Sequence, residues 1–147
     1  MSIALDTNII VYAEGVDDPV RQARALRILN SVPRDRFSIS IQVPGELFNV
    51  LVRRGIPRAQ AKERAQFWKQ TLHVVQTTQS LMDVALDLAA HHRLTIWDAI
   101  VLSAAAEARC DMLLSEDFQD GFAWNGITVC NPFAAKPHRL VADLLRE

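Results

Sequence analysis

At 147 residues, half of them apolar, the chain is long enough to bury one substantial core and reads as a single domain over 1–147. Its formal net charge of −1 excludes a global pull toward nucleic acid or anionic membrane, so any such affinity must come from a local patch. Its two cysteines, Cys110 and Cys130, lie far apart in apolar surroundings without metal-ligand spacing, and read as buried free thiols.

The chain opens on a short apolar run, Ser2 to Leu5, that ends in Asp6 and turns at once into a helix over Ile9 to Ala13. A parallel strand covered on both faces is a continuous apolar run, and ligands bind beyond the carboxyl ends of such strands. Asp6 is therefore expected at the floor of a crevice, with Thr7 and Asn8 able to cap the helix; a plain turn or capping role for Asp6 is the alternative. A loop at 15–19 leads into a helix from Val20 to Val32, with Ala25, Leu26, Leu29 and Val32 inward and Arg21, Arg24 and Arg27 elsewhere. Phe37 to Ile41 alternates as a second strand. Pro44 opens the next helix, whose first turn contains Glu46 and which stops near Gly55.

Pro57 starts a helix running to about Thr71, and Leu72 to Val75 is a third strand. A helix over Leu81 to His92 turns Leu81, Val84, Ala85, Leu88 and Ala89 inward. Thr95 leads into the most apolar helix, Ile96 to Ala108, with Asp98 in its first turn. Asp111 to Ser115 is a fourth strand and Ile127 to Cys130 a fifth. The tail, 136–147, carries a final amphipathic helix. Trp68 and Trp97 sit beside apolar helix positions and are assigned to the core; Trp124 fits either core or edge. His73, His91 and His92 are given no catalytic part, since His91-His92-Arg93 ends a helix, where cations are favoured.

Strands separated by helices predict an α/β fold, a three-layer α/β/α sandwich around a central parallel sheet of about five strands. No glycine fingerprint for a dinucleotide or P-loop follows the first strand. No basic-then-apolar leader opens the chain and no segment is apolar and long enough to span a bilayer, so a soluble, cytoplasmic protein is expected.

Four acids stand at strand exits or helix starts: Asp6, Glu46, Asp98 and Asp117. Each has an ordinary reading, as a helix-start acid favoured by the macrodipole or part of a solvated turn, and Thr95-x-x-Asp98 also resembles a capping box. Together they are costly neighbours. Two carboxylates about 4 Å apart repel by about 1 kcal/mol in water and about 4 kcal/mol in a partly buried site. Converging acids must take up protons or hold cations, and an all-oxygen pocket suits Mg²⁺ or Mn²⁺ rather than zinc.

In Leu5-Asp6-Thr7-Asn8-Ile9, Glu46-Leu47, Trp97-Asp98-Ala99, the run Leu114 to Gly121 and Asn131-Pro132-Phe133, the chain resembles the PIN-domain family, specifically the VapC-type toxin ribonucleases of toxin–antitoxin pairs. The order and spacing of these segments cover nearly its whole length. The resemblance implies a Mg²⁺-dependent endoribonuclease, with Mn²⁺ as the other candidate ion, that cleaves single-stranded RNA. It makes Asp6, Glu46, Asp98 and Asp117 the catalytic and metal-holding acids, Thr7 and Ser115 supporting hydroxyls, and Asn8 a polar neighbour. Glu116, Asp117 and Asp120 share one loop; Asp117 is preferred as the fourth acid, then Asp120. Arg53, Arg54, Arg58 and Lys62 would form an RNA-tracking rim, with a solvated helical face as the alternative. The implied partners are a VapB-like antitoxin and a second copy of the chain. Two rival readings are a phosphoaspartyl enzyme, disfavoured by Asn8 where a second Asp belongs and by the lack of a lysine in 115–121, and a catalytically inactive PIN-like module that binds RNA or protein.

Overall fold

The structure is a computed structural model and describes residues 1–146. Its sheet has the order β3-β2-β1-β4-β6-β5, with β1 Ile3–Leu5, β2 Phe37–Ser40, β3 His73–Val75, β4 Met112–Leu114, β5 Ala123–Trp124 and β6 Ile127–Cys130. The first five in that order run parallel, as the sequence predicts. The sixth, β5, is an antiparallel edge strand of two residues that the sequence reading omits. Asn125 and Gly126, both at positive φ (50° and 79°), make the two-residue turn between β5 and β6. That backbone is the one Asn-Gly hairpins favour.

Among the described residues there are seven α-helices, α1 Thr7–Ala13, α2 Pro19–Leu29, α3 Gln42–Arg53, α4 Arg58–Thr71, α5 Gln79–His92, α6 Ile96–Glu107 and α7 Arg139–Leu145, and a 3₁₀ turn at Arg34–Arg36. The α-helices form two outer layers. On one face, α1, α2, α3, α4 and α7 pack against Ile3, Leu5, Phe37, Ile39, Met112 and Leu114. On the other, α5 and α6 pack against Ala4, Leu113 and Val129. Successive residues of β1 and β4 thus feed opposite cores, which is why both strands read as unbroken apolar runs. The three-layer sandwich is as expected. Of the final helix expected over 136–147, residues Arg139–Leu145 are helical and Glu147 lies outside the described residues.

Several local expectations need correction. Helix α1 begins at Thr7, so Asp6 is itself the cap, and Thr7 and Asn8 belong to the first turn. Helix α3 begins at Gln42, ahead of Pro44, which puts Glu46 one turn in rather than in the first turn. On α2 the buried stripe is Ala25, Ile28 and Leu29, while Leu26 is exposed and Val32 lies beyond the helix. Val84 on α5 is likewise exposed, and the inward residues there are Leu81, Ala85 and Leu88, with Ala89 packed partly buried against the same core. Trp68 is buried as expected, but Trp97 is 60% exposed. Helix α6 is buried all round from Ala99 to Ala105, and its first turn and its last residues, Ala106 and Glu107, emerge from the core.

Strands β2 and β3 extend the sheet to one side of β1, and β4 and β6 to the other. The junction between β1 and β4 is therefore a topological switch point, where the two winding directions part and leave a crevice at the strands' carboxyl ends.

Candidate active site

Asp6 and Ser115 follow the last residues of β1 and β4, side by side at that switch point. Asp6 is only 5% exposed and Ser115 is fully buried. Both carboxylate oxygens of Asp6 are engaged: the Thr7 N–H donates to Oδ1 at 2.8 Å, capping α1, and the Ser115 hydroxyl donates to Oδ2 at 2.6 Å. Burial pushes the Asp6 carboxyl up from its usual 3.8 to about 6; the charges of Asp117 and Asp98 add to the rise, while the two hydrogen bonds oppose it. Asp6 thus caps α1, and the same buried side chain also lies within the influence of the Asp117 and Asp98 charges.

The other acids are held by the same short segments. The Thr7 hydroxyl donates to Glu46 Oε2 at 2.6 Å, tying α3 to α1. Asn8 Nδ2 donates to Asp117 Oδ2 at 3.2 Å and approaches the Ser115 hydroxyl at 3.4 Å. The Asp117 backbone N–H donates to Ser115 Oγ at 3.1 Å. Thr95 caps α6 by accepting from the Asp98 N–H at 3.1 Å. Burial raises the Asp98 carboxyl, and the charges of Asp117 and Glu46 raise it further against the Thr95 hydrogen bond. Thr7, Asn8, Glu46, Asp117, Arg53 and Arg54 line one cleft of about 450 Å³, together with Val11, Asn49 and Val50. Asn49 is a wall residue that the sequence reading does not include; its place one turn after Glu46 is the signal that could have found it.

The loop after β4 divides its acids by partner. Glu116 accepts from the Tyr12 hydroxyl and pairs with Arg21. Asp120 Oδ1 accepts from the Asn131 backbone N–H at 2.8 Å. Asp117 is the acid of that loop that faces Asn8 and the cleft. Among the four basic candidates, Arg53 and Arg54 reach the cleft wall, and Arg54 also pairs with Asp17 at 2.8 Å. Arg58 and Lys62 are exposed on α4, where the Arg58 guanidinium lies 5.9 Å from the Phe48 ring centre.

The donor set fits a hard divalent cation. It consists of carboxylate oxygens plus Asn8 Oδ1, a buried acceptor with no hydrogen-bond partner among the described residues. No three Asp, Glu, His or Cys among the described residues form a ready cage. A cage is not what Mg²⁺ requires: it dehydrates reluctantly and is usually bound through one or two carboxylates plus water and substrate phosphate.

This is the architecture of the PIN domain: the family's sequence model matches residues 3–122, and the chain belongs to that family. Solved structures with the same fold include a toxin–antitoxin complex from Klebsiella pneumoniae, 20% identical, covering 90% of this chain and 98% of that one with a TM-score of 0.69. VapC20 of Mycobacterium tuberculosis, a sarcin–ricin-loop-cleaving toxin, is 22% identical over 76% of this chain and 87% of its own, with a TM-score of 0.65. VapBC2 from Rickettsia felis, bound to a fragment of promoter DNA, is 16% identical over 80% and 89%, with a TM-score of 0.58. At these identities the likeness is one of fold. No curated protein matches the chain significantly. No helix among the described residues is long and apolar enough to cross a membrane.

Proposed function

We propose that this chain is a metal-dependent endoribonuclease, the toxin of a toxin–antitoxin pair, hydrolysing phosphodiesters of single-stranded or loop RNA. The observation that carries the reading is the Asp6 carboxyl, buried at the switch point and raised to about 6 with Asp117 and Asp98 beside it. Negative charge gathered in this way has a use when a cation and a phosphodiester are to be held together. Membership of the PIN family and a fold shared with an RNA-cleaving toxin support the same reading.

Asp6 and Asp98 would hold Mg²⁺ or Mn²⁺, with Glu46 and Asp117 completing its shell directly or through water; the bound ion would supply a polarised water and neutralise charge developing on the phosphodiester. The chain's residues do the rest. Ser115 and the Thr7 N–H fix both oxygens of Asp6, so that acid is set in orientation before substrate arrives. Thr7 fixes Glu46, and Asn8 fixes Asp117. Glu46 and Asp117 line the open cleft and are the acids suited to take a proton from the attacking water. Attack by water in line with a departing 3′-oxygen, rather than by the ribose 2′-hydroxyl, breaks the P–O3′ bond and leaves a 5′-phosphate and a 3′-hydroxyl. Arg53 and Arg54, with Arg58 and Lys62 on the following helix, provide the basic rim along which an RNA backbone runs.

The same chemistry suggests the partners. A cleft dense in carboxylates suits a VapB-like antitoxin that inserts a basic side chain; the resemblance to VapC-type toxins adds to the proposal a cytoplasmic homodimer as the functional unit. The test is sequencing of 5′-phosphate RNA ends after induction of the wild type and of Asp98→Asn. New discrete ends are expected with the wild type only; identical profiles overturn the nuclease reading.

A further inference from the structure

Trp97 is the residue the fold does not account for. It immediately precedes Asp98 in the first turn of α6, and more than half of its surface is open. Other large apolar side chains are exposed elsewhere, and a single exposed apolar residue needs no explanation. Trp97 differs in size and in position. Tryptophan is no better than average as a helix former, so the first turn of α6 gains nothing from it. Among the described residues its indole stacks on no other ring, and no guanidinium lies over it. Its neighbour Asp98 feels the charges of Asp117 and Glu46, two acids of the cleft wall. The wall on the α3 side also carries Arg53 and Arg54.

We infer that Trp97 is a stacking platform for a nucleobase of the RNA held at the acid site. This rests on the nuclease reading above and adds the means by which the strand is positioned. The cleft offers cations for the phosphate backbone on the α3 side and carboxylates at its floor. A single-stranded substrate also exposes flat π-faces, which aromatic side chains bind without regard to sequence. An indole next to a site acid holds the base adjoining the scissile phosphate and fixes the register of the strand. Trp97 is a positioning residue in this scheme and touches no reacting atom.

The experiment compares Trp97→Ala, Trp97→Leu and Trp97→Phe on a short single-stranded RNA in Mg²⁺. Stacking predicts a loss in kcat/KM of about 5- to 100-fold for Ala. The same loss is expected for Leu, which restores apolar area without a π-face, and near-complete rescue for Phe. The loss should fall mainly on KM, with melting temperatures unchanged because the ring is exposed. Unchanged kcat/KM in Trp97→Ala overturns the platform and leaves the nuclease reading intact. Recovery by Leu as full as by Phe overturns it in favour of simple apolar contact. A shift in sedimentation of Trp97→Ala with undiminished RNA cleavage overturns it in favour of a protein interface. A wild type that cleaves no RNA defeats the underlying reading instead.

Discussion

The Ser115 hydroxyl, at the exit of β4, donates to Asp6 at the exit of β1 across 109 positions of sequence, at 2.6 Å and out of contact with solvent. This bond joins the two strands that flank the switch point, and it lowers a carboxyl that burial raises. Removing it in Ser115→Ala leaves Asp6 Oδ2 unsatisfied and raises the carboxyl further. Ordering groups around metal ligands are typically worth about 10- to 100-fold in metal affinity. A loss of that size in Mg²⁺ affinity is expected by calorimetry, with the acid limb of the pH–rate profile moved to higher pH. Wild-type affinity in Ser115→Ala would show that the bond only locks the strands together.

The raised Asp6 carboxyl makes a stability prediction of definite sign. In the unfolded chain the group ionises near 3.8, and in the fold near 6. The folded state therefore binds the proton more tightly, and ionisation works against folding. Metal-free protein should gain stability as pH falls from about 7 through 6 toward 4, by an amount on the order of 3 kcal/mol if Asp6 alone is responsible. Asp98 is raised too and acts in the same direction. Asp6→Asn keeps a capping oxygen but carries no charge. It should melt several degrees higher than wild type at pH 7.5 in chelator, with a flatter pH dependence. Mg²⁺ should stabilise the wild type but not the variant. Equal melting temperatures in chelator would mean that Asp6 is well solvated.

The strands at this site were readable because each is a continuous apolar run with a polar residue at its exit. What the sequence hid were features decided by a residue or two. Asp6 caps α1 directly because Thr7 can already take helical geometry. Strand β5 has only two residues, too few for any periodicity, although Asn125-Gly126 carries its turn signal. Trp97 looked like core because α6 is apolar on every side, so no polar face shows where its first turn leaves the core. The partners of Glu116 and Asp120 were equally invisible, since Tyr12, Arg21 and Asn131 reach them through the fold.

The two thiols should be inert in the native protein. Burial pushes Cys110 up to about 11 and Cys130 to about 12, so neither is a thiolate near neutral pH. At pH 8, a thiol reagent such as 5,5′-dithiobis(2-nitrobenzoate) should titrate neither group until denaturant is added, and both afterwards. Fast labelling of either cysteine without denaturant would show local opening of the β4 or β6 region.

The three acids of the loop after β4 can be separated by their partners. Glu116→Gln leaves the Tyr12 and Arg21 contacts partly served and is remote in bonding from the cleft. Asp120→Asn retains an oxygen for the Asn131 N–H. Both variants should keep RNA cleavage within a few-fold of wild type, while Glu116→Gln loses a little stability because Arg21 loses a charged partner, though it keeps Asp18, the Tyr12 hydroxyl and the Tyr12 and Phe133 rings. Asp117→Asn keeps the Asn8 contact through its remaining oxygen but removes a charge and a proton acceptor from the cleft wall. Positioned acid–base groups contribute about 10²- to 10⁴-fold, and a loss in kcat of that order is expected for Asp117→Asn alone. If the large loss fell on Glu116→Gln instead, the Arg21–Glu116 pair would have to open during turnover and bring that carboxylate into the cleft. Thermal melts of all three variants, run beside the rate measurements, separate such a catalytic loss from a structural one.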